Sequence, residues 1–426
     1  MKFSVKMKRI SSLLTCLIIY TVVYAQQELE LNPMKQLEQQ VNMHDDAIKV
    51  LQKLKVSGYI QPQFQYGQKD ATLGVGTANE KEETSFNRIG IRRGRIKFTY
   101  NEGIASGVFQ LDMTEKGVGI KDAYLNLKDP WLGTNALRVG VFDRPFGYEI
   151  SYSSSRRETP ERSTIFQTFF PEERDLGGMI ILQPDKTSPF SFLKLQAGLF
   201  AGNGIKQETD SRKDFIGHLS ANKDISDVTK VGFGVSYYNG GVYQGTENVF
   251  TMQGKGFVLN SDASNVGQFA KREYFGLDGQ LNIISSLGTT QFRGEYLWGT
   301  QPGNKWDSKS PNASTLPNTD TYIRNFSGGY VILVHDVGTS PFSAVIKYDW
   351  YDPNSRIARN EIGQNETERG DIAYNTYGVG LLWRITNNVR LQAYYEFVNN
   401  EKTENLNSYN ENLEDNVFTL RLQYRF

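Results

Sequence analysis

The chain has 426 residues, of which 12% are aromatic, 40 are glycine and one is cysteine, and its 47 basic side chains balance 47 acidic ones. The mean hydropathy is negative, and beyond the N-terminus no apolar run approaches the roughly 20 residues of a spanning helix, which excludes a helical membrane protein. Zero net charge gives no general attraction to nucleic acid, so electrostatic selectivity depends on where charges are placed.

Lys2, Lys6, Lys8 and Arg9 precede a largely apolar stretch from Ile10 to Tyr24, and Val23-Tyr24-Ala25 suits a signal-peptide cleavage site. Residues 1–25 are therefore expected to be a secretory leader. Their removal takes away Cys16, four basic residues and no acidic ones. The remaining chain would have no disulfide, thiol chemistry or cysteine-based metal site. In residues 26–55, Met34, Leu37, Val41, His44, Ile48, Leu51 and Lys55 follow a 3-4 spacing after Pro33. The spacing predicts a short helical segment, either a coiled coil that joins protomers or a single helix ahead of the next domain.

From Val56 the period changes to two. Gln61, Gln63 and Gln65 alternate with Ile60, Phe64 and Tyr66, and Arg93, Arg95 and Lys97 oppose Ile96, Phe98 and Tyr100. Similar strands lie at 109–113, 122–127, 137–141, 178–183 and 191–199. Cleaner ones follow at 215–220, 231–237, 275–281, 292–298, 344–350, 377–383 and 389–397, while 321–333 is ambiguous. In the last stretch Phe418, Leu420, Leu422, Tyr424 and Phe426 alternate with Thr419, Arg421, Gln423 and Arg425. That is one oily and one wet face on a strand of membrane-crossing length, ending on an aromatic residue.

The count is sixteen strands. Short connectors (101–104, 128–135, 285–288, 386–388) alternate with long ones (145–175, 240–270, 300–320, 352–372). Trp298, Trp350 and Trp383 fall near strand ends, where an aromatic girdle sits. The expected fold class is all-β: a 16-stranded antiparallel transmembrane β-barrel over residues 56–426 with a short N-terminal periplasmic helix, both ends being on the short-turn side. So many polar inward faces cannot all be buried in a soluble protein, and a closed barrel of this size leaves an aqueous channel.

Three stretches, Ile91-Arg92-Arg93-Gly94-Arg95-Ile96, Lys121-Asp122-Ala123-Tyr124-Leu125-Asn126-Leu127 and Leu137-Arg138-Val139-Gly140-Val141-Phe142-Asp143-Arg144-Pro145-Phe146-Gly147, carry a resemblance. With Glu161-Arg162-Ser163 and Arg174-Asp175-Leu176-Gly177, they resemble the phosphate-selective porin O and P family. The resemblance implies a trimeric channel of the bacterial outer membrane whose third long loop, here 145–175, folds inward and narrows the pore. The family's paired arginines match Arg92 and Arg93. It implies small anions, phosphate among them, as solutes, and outer-membrane lipid and the barrel-assembly machinery as partners.

Strict alternation turns Arg93, Arg95 and Lys97 to the lumen and Arg92 away, unless a bulge intervenes. The lumen-facing bases are these three with Arg138, Arg144, Lys194, Arg293, Lys347, Arg390, Arg421 and Arg425; the acids are Asp112, Asp122, Asp278, Glu295, Asp349 and Glu396. The excess favours anions, through forked guanidinium donors in a low-dielectric wall. Cross-strand pairing of both signs is the plainer account. The expected pore lining is Arg92, Arg93, Arg95, Lys97, Arg138, Arg144, Lys347 and, from the loop, Arg162. The loop itself carries a net negative charge, with Arg156, Arg157, Arg162 and Arg174 against Glu149, Glu158, Glu161, Glu172, Glu173 and Asp175. Arg174 and Asp175 read as a pair at the barrel wall.

A general porin for small hydrophilic solutes and a structural or adhesive barrel are the alternatives. An enzyme is not expected: His218 and Ser220 face the lumen about 7 Å apart, too far for direct contact, His44 lies in the heptad seam and His335 near a short turn. The segment before the first strand is too short for a transporter plug. No cofactor, metal site or catalytic residue is implied.

Overall fold

In the computed structural model the polar side chains are inside and the apolar ones outside. On the closing strand, Thr419, Arg421 and Gln423 are buried at 0%, 2% and 5% exposure, while Leu420 and Leu422 stand 37% and 43% exposed. A soluble sheet would do the reverse. The structure describes residues 52–81, 83–309 and 318–426, together with 15, 17–23, 37–38, 40–44 and 48.

The chain divides at Lys55 and Val56 into two units. The described residues 15, 17–23, 37–38, 40–44, 48 and 52–53 are helical. Leu37, Val41, His44 and Ile48 of the heptad seam are among them, whereas Met34 and Leu51 lie outside the described residues, as does most of the expected leader and its cleavage site. Lys55, the last seam position, already belongs to a strand that begins at Leu54. Among the described residues no helix is long and apolar enough to cross a membrane.

The second unit is a closed antiparallel barrel. Its wall runs through β1 (Leu54–Gly67), β2 (Phe86–Glu102), β3 (Ala105–Thr114), β4 (Gly117–Lys128), β5 (Ala136–Asp143), β6 (Arg174–Leu182), β7 (Leu193–Phe200), β8 (Asp214–Ser226) and β9 (Thr229–Tyr243). A small hairpin, β10 (Asn248–Gln253) and β11 (Gly256–Ser261), rises from the next loop. The wall resumes with β12 (Phe269–Ser285), β13 (Gly288–Gly303), β14 (Thr321–Asp336), β15 (Phe342–Asp352), β16 (Tyr374–Arg384), β17 (Val389–Asn400) and β18 (Val417–Arg425). β9 pairs with β12 across the hairpin, and β18 returns to β1 from Tyr59↔Arg425 to Gly67↔Val417. Sixteen strands thus form the wall, as the alternation predicts. The connections at one end are short, those at the other mostly long; the exception is the two-residue turn 115–116, which leaves the long-loop rim low between β3 and β4. On the outside, Tyr296 stacks on Trp298 and Trp350 at 5.4 and 6.3 Å, and Trp383 on Phe342 at 6.0 Å.

One long connection, residues 144–173, packs against the inner wall. Its helix α1 (Thr164–Phe169) buries Ile165, Phe166 and Phe169. Phe169 meets Tyr274 at 5.2 Å, Phe326 at 4.2 Å and Tyr351 at 5.5 Å, all on the inward faces of β12, β14 and β15. Phe166 meets Tyr330, and Phe170 meets Tyr238. A Cβ on Gly328 would lie 2.9 Å from Ile165, so glycine is what lets α1 approach β14. The aromatic lining explains the ambiguity of 321–333. Tyr322, Phe326, Tyr330, Ile332 and Val334 point inward and are as apolar as Val331 and Leu333, which point out.

The loop's first turn is held by one carboxylate. Glu295 accepts from the Tyr148 and Glu149 main-chain N–H groups at 2.8 and 2.5 Å and from the Tyr330 hydroxyl at 2.7 Å. Gly147 enables this turn with φ +62°, and its N–H donates to Ser236 Oγ at 2.9 Å. At the loop's other end Arg144 donates to the Pro171 carbonyl at 3.2 Å and lies over the Phe170 ring at 5.2 Å.

The apolar grip fixes the loop, so Phe169→Ala should free it. The truncation of a buried Phe costs about 3–5 kcal/mol. Proteases should then cut within 150–170 and single-channel conductance should rise. Unchanged protection and conductance would count against the aromatic anchor.

Candidate pore constriction

On the side of the lumen away from the aromatic core, the loop faces β1 to β4 and β18 across charged groups. The period of two on β1 sets Gln61, Gln63 and Gln65 inward, all 0–3% exposed. Gln61 accepts from Arg93 at 3.2 Å, and Gln63 accepts from Arg421 Nε at 2.8 Å. Both guanidiniums are thereby aimed at the loop's Glu161. That carboxylate takes Arg92 at 2.8 Å, Arg93 at 2.8 Å and Arg421 at 3.0 Å. A second carboxylate, Glu173, takes Arg162, Lys121 at 2.7 Å and Arg174 at 2.9 Å. Arg174 also reaches Asp122 at 2.8 Å, and Arg95 binds Asp112 and the Tyr59 hydroxyl at 2.9 Å each. Burial alone would raise the two loop carboxyls, but the surrounding cations outweigh it. Arg92, Arg93 and Arg421 hold Glu161, and Arg162, Lys121 and Arg174 hold Glu173, well below the usual carboxylate range.

Two cavities flank this network. One, of about 600 Å³, is lined by seven basic side chains (Arg92, Arg93, Arg95, Lys116, Lys121, Arg162, Lys309) against Asp112, Glu161, Glu172 and Glu173. The other, of about 290 Å³, is lined by Arg95, Lys97, Arg162, Arg174 and Arg425 against Asp122 and Asp143, and reaches Gly58 and Phe426 at the short-turn end. Arg95 and Arg162 line both.

The chain matches no protein-family model and no curated protein. Its fold is similar to solved outer-membrane barrels. Pseudomonas putida OprB at high pH aligns with TM-score 0.55 and 8% identity, covering 89% of this chain and 96% of that one. Salmonella typhi OmpF in complex with daunomycin gives 0.53 and 10%, over 88% and 97%. Vibrio cholerae OmpT, an outer membrane protein in its trimer form, gives 0.51 and 8%, over 88% and 99%. The chain has the outer-membrane porin fold.

Within this porin fold the expected lining residues separate. Arg92, Arg93, Arg95 and Arg162 gather on the larger cavity, and Lys97 joins Arg95 and Arg162 on the smaller. Arg138, Arg144 and Lys347 line neither. Arg138 lies 4.6 Å over the Tyr124 ring, Arg144 secures the loop, and Lys347 sits between Asp349 at 3.3 Å and Glu149 at 3.8 Å. Arg92, N-terminal to the β2–β3 ladder that begins at Arg95↔Asp112 and carries no register shift, reaches Glu161 at 2.8 Å.

The bulge is elsewhere, and it recruits a residue that alternation assigns to the outside. The register between β3 and β4 shifts from Gln110↔Asp122 to Leu111↔Ile120, which leaves Lys121 unpaired and sends it inward beside Asp122. Arg174 and Asp175 do not form the expected wall pair; Asp175 accepts from the Leu176 and Gly202 N–H groups instead. His218 contacts Asp278 at 3.0 Å, while the Ser220 hydroxyl donates to the Lys194 carbonyl at 3.5 Å.

Because the folded pKa values of Glu161 and Glu173 are depressed, their stabilisation is complete above the ordinary carboxylate pKa and is lost only as pH falls through the lower folded values. Protease protection of the loop should therefore stay flat from about pH 7 to about pH 5 and fail only in stronger acid. Glu161→Gln, which leaves three guanidiniums sharing no counter-charge, should destabilise the loop by about 3–5 kcal/mol at neutral pH. Loss of protection near pH 6 in the parent protein would contradict this.

Proposed function

We propose that the protein is a porin of the bacterial outer membrane through which small anions diffuse passively, phosphate or a similar oxyanion being the solute that suits it best. The observation that carries this reading is the pair Arg95 and Arg162, common to both cavities, with three more basic than acidic side chains around each chamber. Guanidinium forks replace part of an oxyanion's hydration, and neighbouring cations let the ion be handed on rather than trapped. The motif resemblance to the phosphate-selective porin O and P family supports the same solute class. The leader in residues 1–25, a periplasmic helical segment at 26–55 and assembly as a homotrimer in outer-membrane lipid belong to this reading.

A general porin is the second reading, and the ion pairing favours it. Arg95 is bound to Asp112, Lys347 to Asp349, and Arg293 to Glu158. If such pairs silence the lining, the passage sorts by size.

Phosphate added at fixed chloride decides between them. Block of the chloride current is expected, and Arg95→Ala should raise the half-blocking concentration by about ten- to a hundredfold, the effect of one charge-assisted hydrogen bond. No block, or equal block in the variant, would leave the general porin.

A further inference from the structure

We infer that the two longest connections at the short-turn end, residues 129–135 and 183–192, form an apolar foot that dips into the adjoining leaflet, its partner being phospholipid with anionic headgroups. The inference rests on the barrel's place in a membrane and not on its solute.

The strands that these turns join are too short to cross alone. β5 and β7 have eight residues each and β6 has nine, at or below the roughly 9–11 that a tilted spanning strand needs. β8, β9, β12 and β13 have 13 to 17. The turns supply the missing height. β7 begins at Leu193, opposite Ala221, whereas β8 runs on to Ser226. The Phe192 carbonyl accepts from the Asn222 N–H at 2.8 Å, so turn 183–192 continues the wall beside β8. Asn135 Oδ1 accepts from the Gln183 N–H at 3.0 Å and ties the two turns together.

Both turns are built as lipid requires, because main-chain polar groups in hydrocarbon have to be satisfied within the protein. The Asp129 carboxylate accepts from the main-chain N–H groups of Trp131, Leu132, Gly133 and Asn135. The Asp185 carboxylate accepts from the N–H and the hydroxyl of Thr187. The only acids of the two turns are thus folded onto their own segments. What faces outward is apolar: Trp131 is 87% exposed, Phe190 59% and Leu132 54%. Lys128 and Lys186 stand exposed beside them, and cations at a bilayer surface favour anionic headgroups.

Exposed apolar tips continue round the ring on the other short turns, at Ile104, Val228, Leu287, Val337 and Ile385. A single protein partner meets one sector of such a ring, whereas a bilayer surrounds all of it. That favours lipid over a second copy of the chain.

The test is fluorescence quenching on the full chain in phosphatidylcholine–phosphatidylglycerol vesicles, the Trp131 emission being the difference between the parent and Trp131→Phe. The variant keeps the girdle residues Trp298, Trp350 and Trp383, whose quenching by brominated lipid reports that the barrel is inserted. Brominated lipid should quench Trp131 and acrylamide should not. Lys128→Gln and Lys186→Gln should each lower the preference for quenching by brominated phosphatidylglycerol over brominated phosphatidylcholine by about fivefold, the effect of one cation near a charged bilayer surface. In an inserted barrel, quenching of Trp131 by acrylamide would put the turn in water, and resistance to both quenchers would put it under a protein such as a second copy. Either result would overturn the foot. Unchanged lipid preference in both variants would overturn the anionic headgroup, and girdle tryptophans unquenched by lipid would sink the membrane barrel and the foot with it.

Discussion

Ring closure is the constraint from which the rest follows. Gly58 and Phe426 exchange two backbone hydrogen bonds of 3.0 Å, and the ladder continues from there to Gly67↔Val417. In hydrocarbon an unpaired N–H or C=O costs several kcal/mol, so a sheet there has no tolerable edge. The seam is tight: a Cβ on Gly58 would lie 2.5 Å from the Phe426 ring. Once the ring is shut, the period of two sorts every side chain to lipid or to lumen.

The lumen is then divided by its own loop. Aromatic residues of β9, β12, β14 and β15 grip α1 and its flanks, and Glu295 fixes the entering turn through main-chain N–H groups. With one side of the loop fastened by apolar contact, the other side faces the arginines of β2 and β18. Position, rather than net charge, sets the balance around the loop's carboxylates. The loop is negative overall, yet Glu161 and Glu173 are each enclosed by three cations. The hairpin β10–β11 and loop 353–373 share a second apolar cluster, and the buried pair Arg324–Asp371 at 2.8 Å braces it.

Most of the wall was legible because lipid enforces alternation. Sixteen strands could be counted where only one face was apolar; β14 blurred because its inner face is aromatic too. The hairpin β10–β11 was hidden inside a segment read as loop, although Gln253-Gly254-Lys255-Gly256 between two apolar runs is a turn signal. The site was legible only in part. Arg93, Arg95 and Lys97 follow from periodicity, but Lys121 enters through a one-residue bulge that no local pattern marks. Arg144 and Lys347 line neither cavity because both are consumed by structural contacts. Such assignments depend on which acid lies across the barrel, a relation between residues tens to hundreds of positions apart.

The reversal potential of the purified protein in a planar bilayer under a KCl gradient tests the central claim most directly. An excess of cations along the route through Arg95 and Arg162 predicts a potential on the chloride side, shrinking as salt screens the lining. A potential near zero or on the potassium side would mean that the pairing carboxylates silence these cations, and that the route is not an anion path.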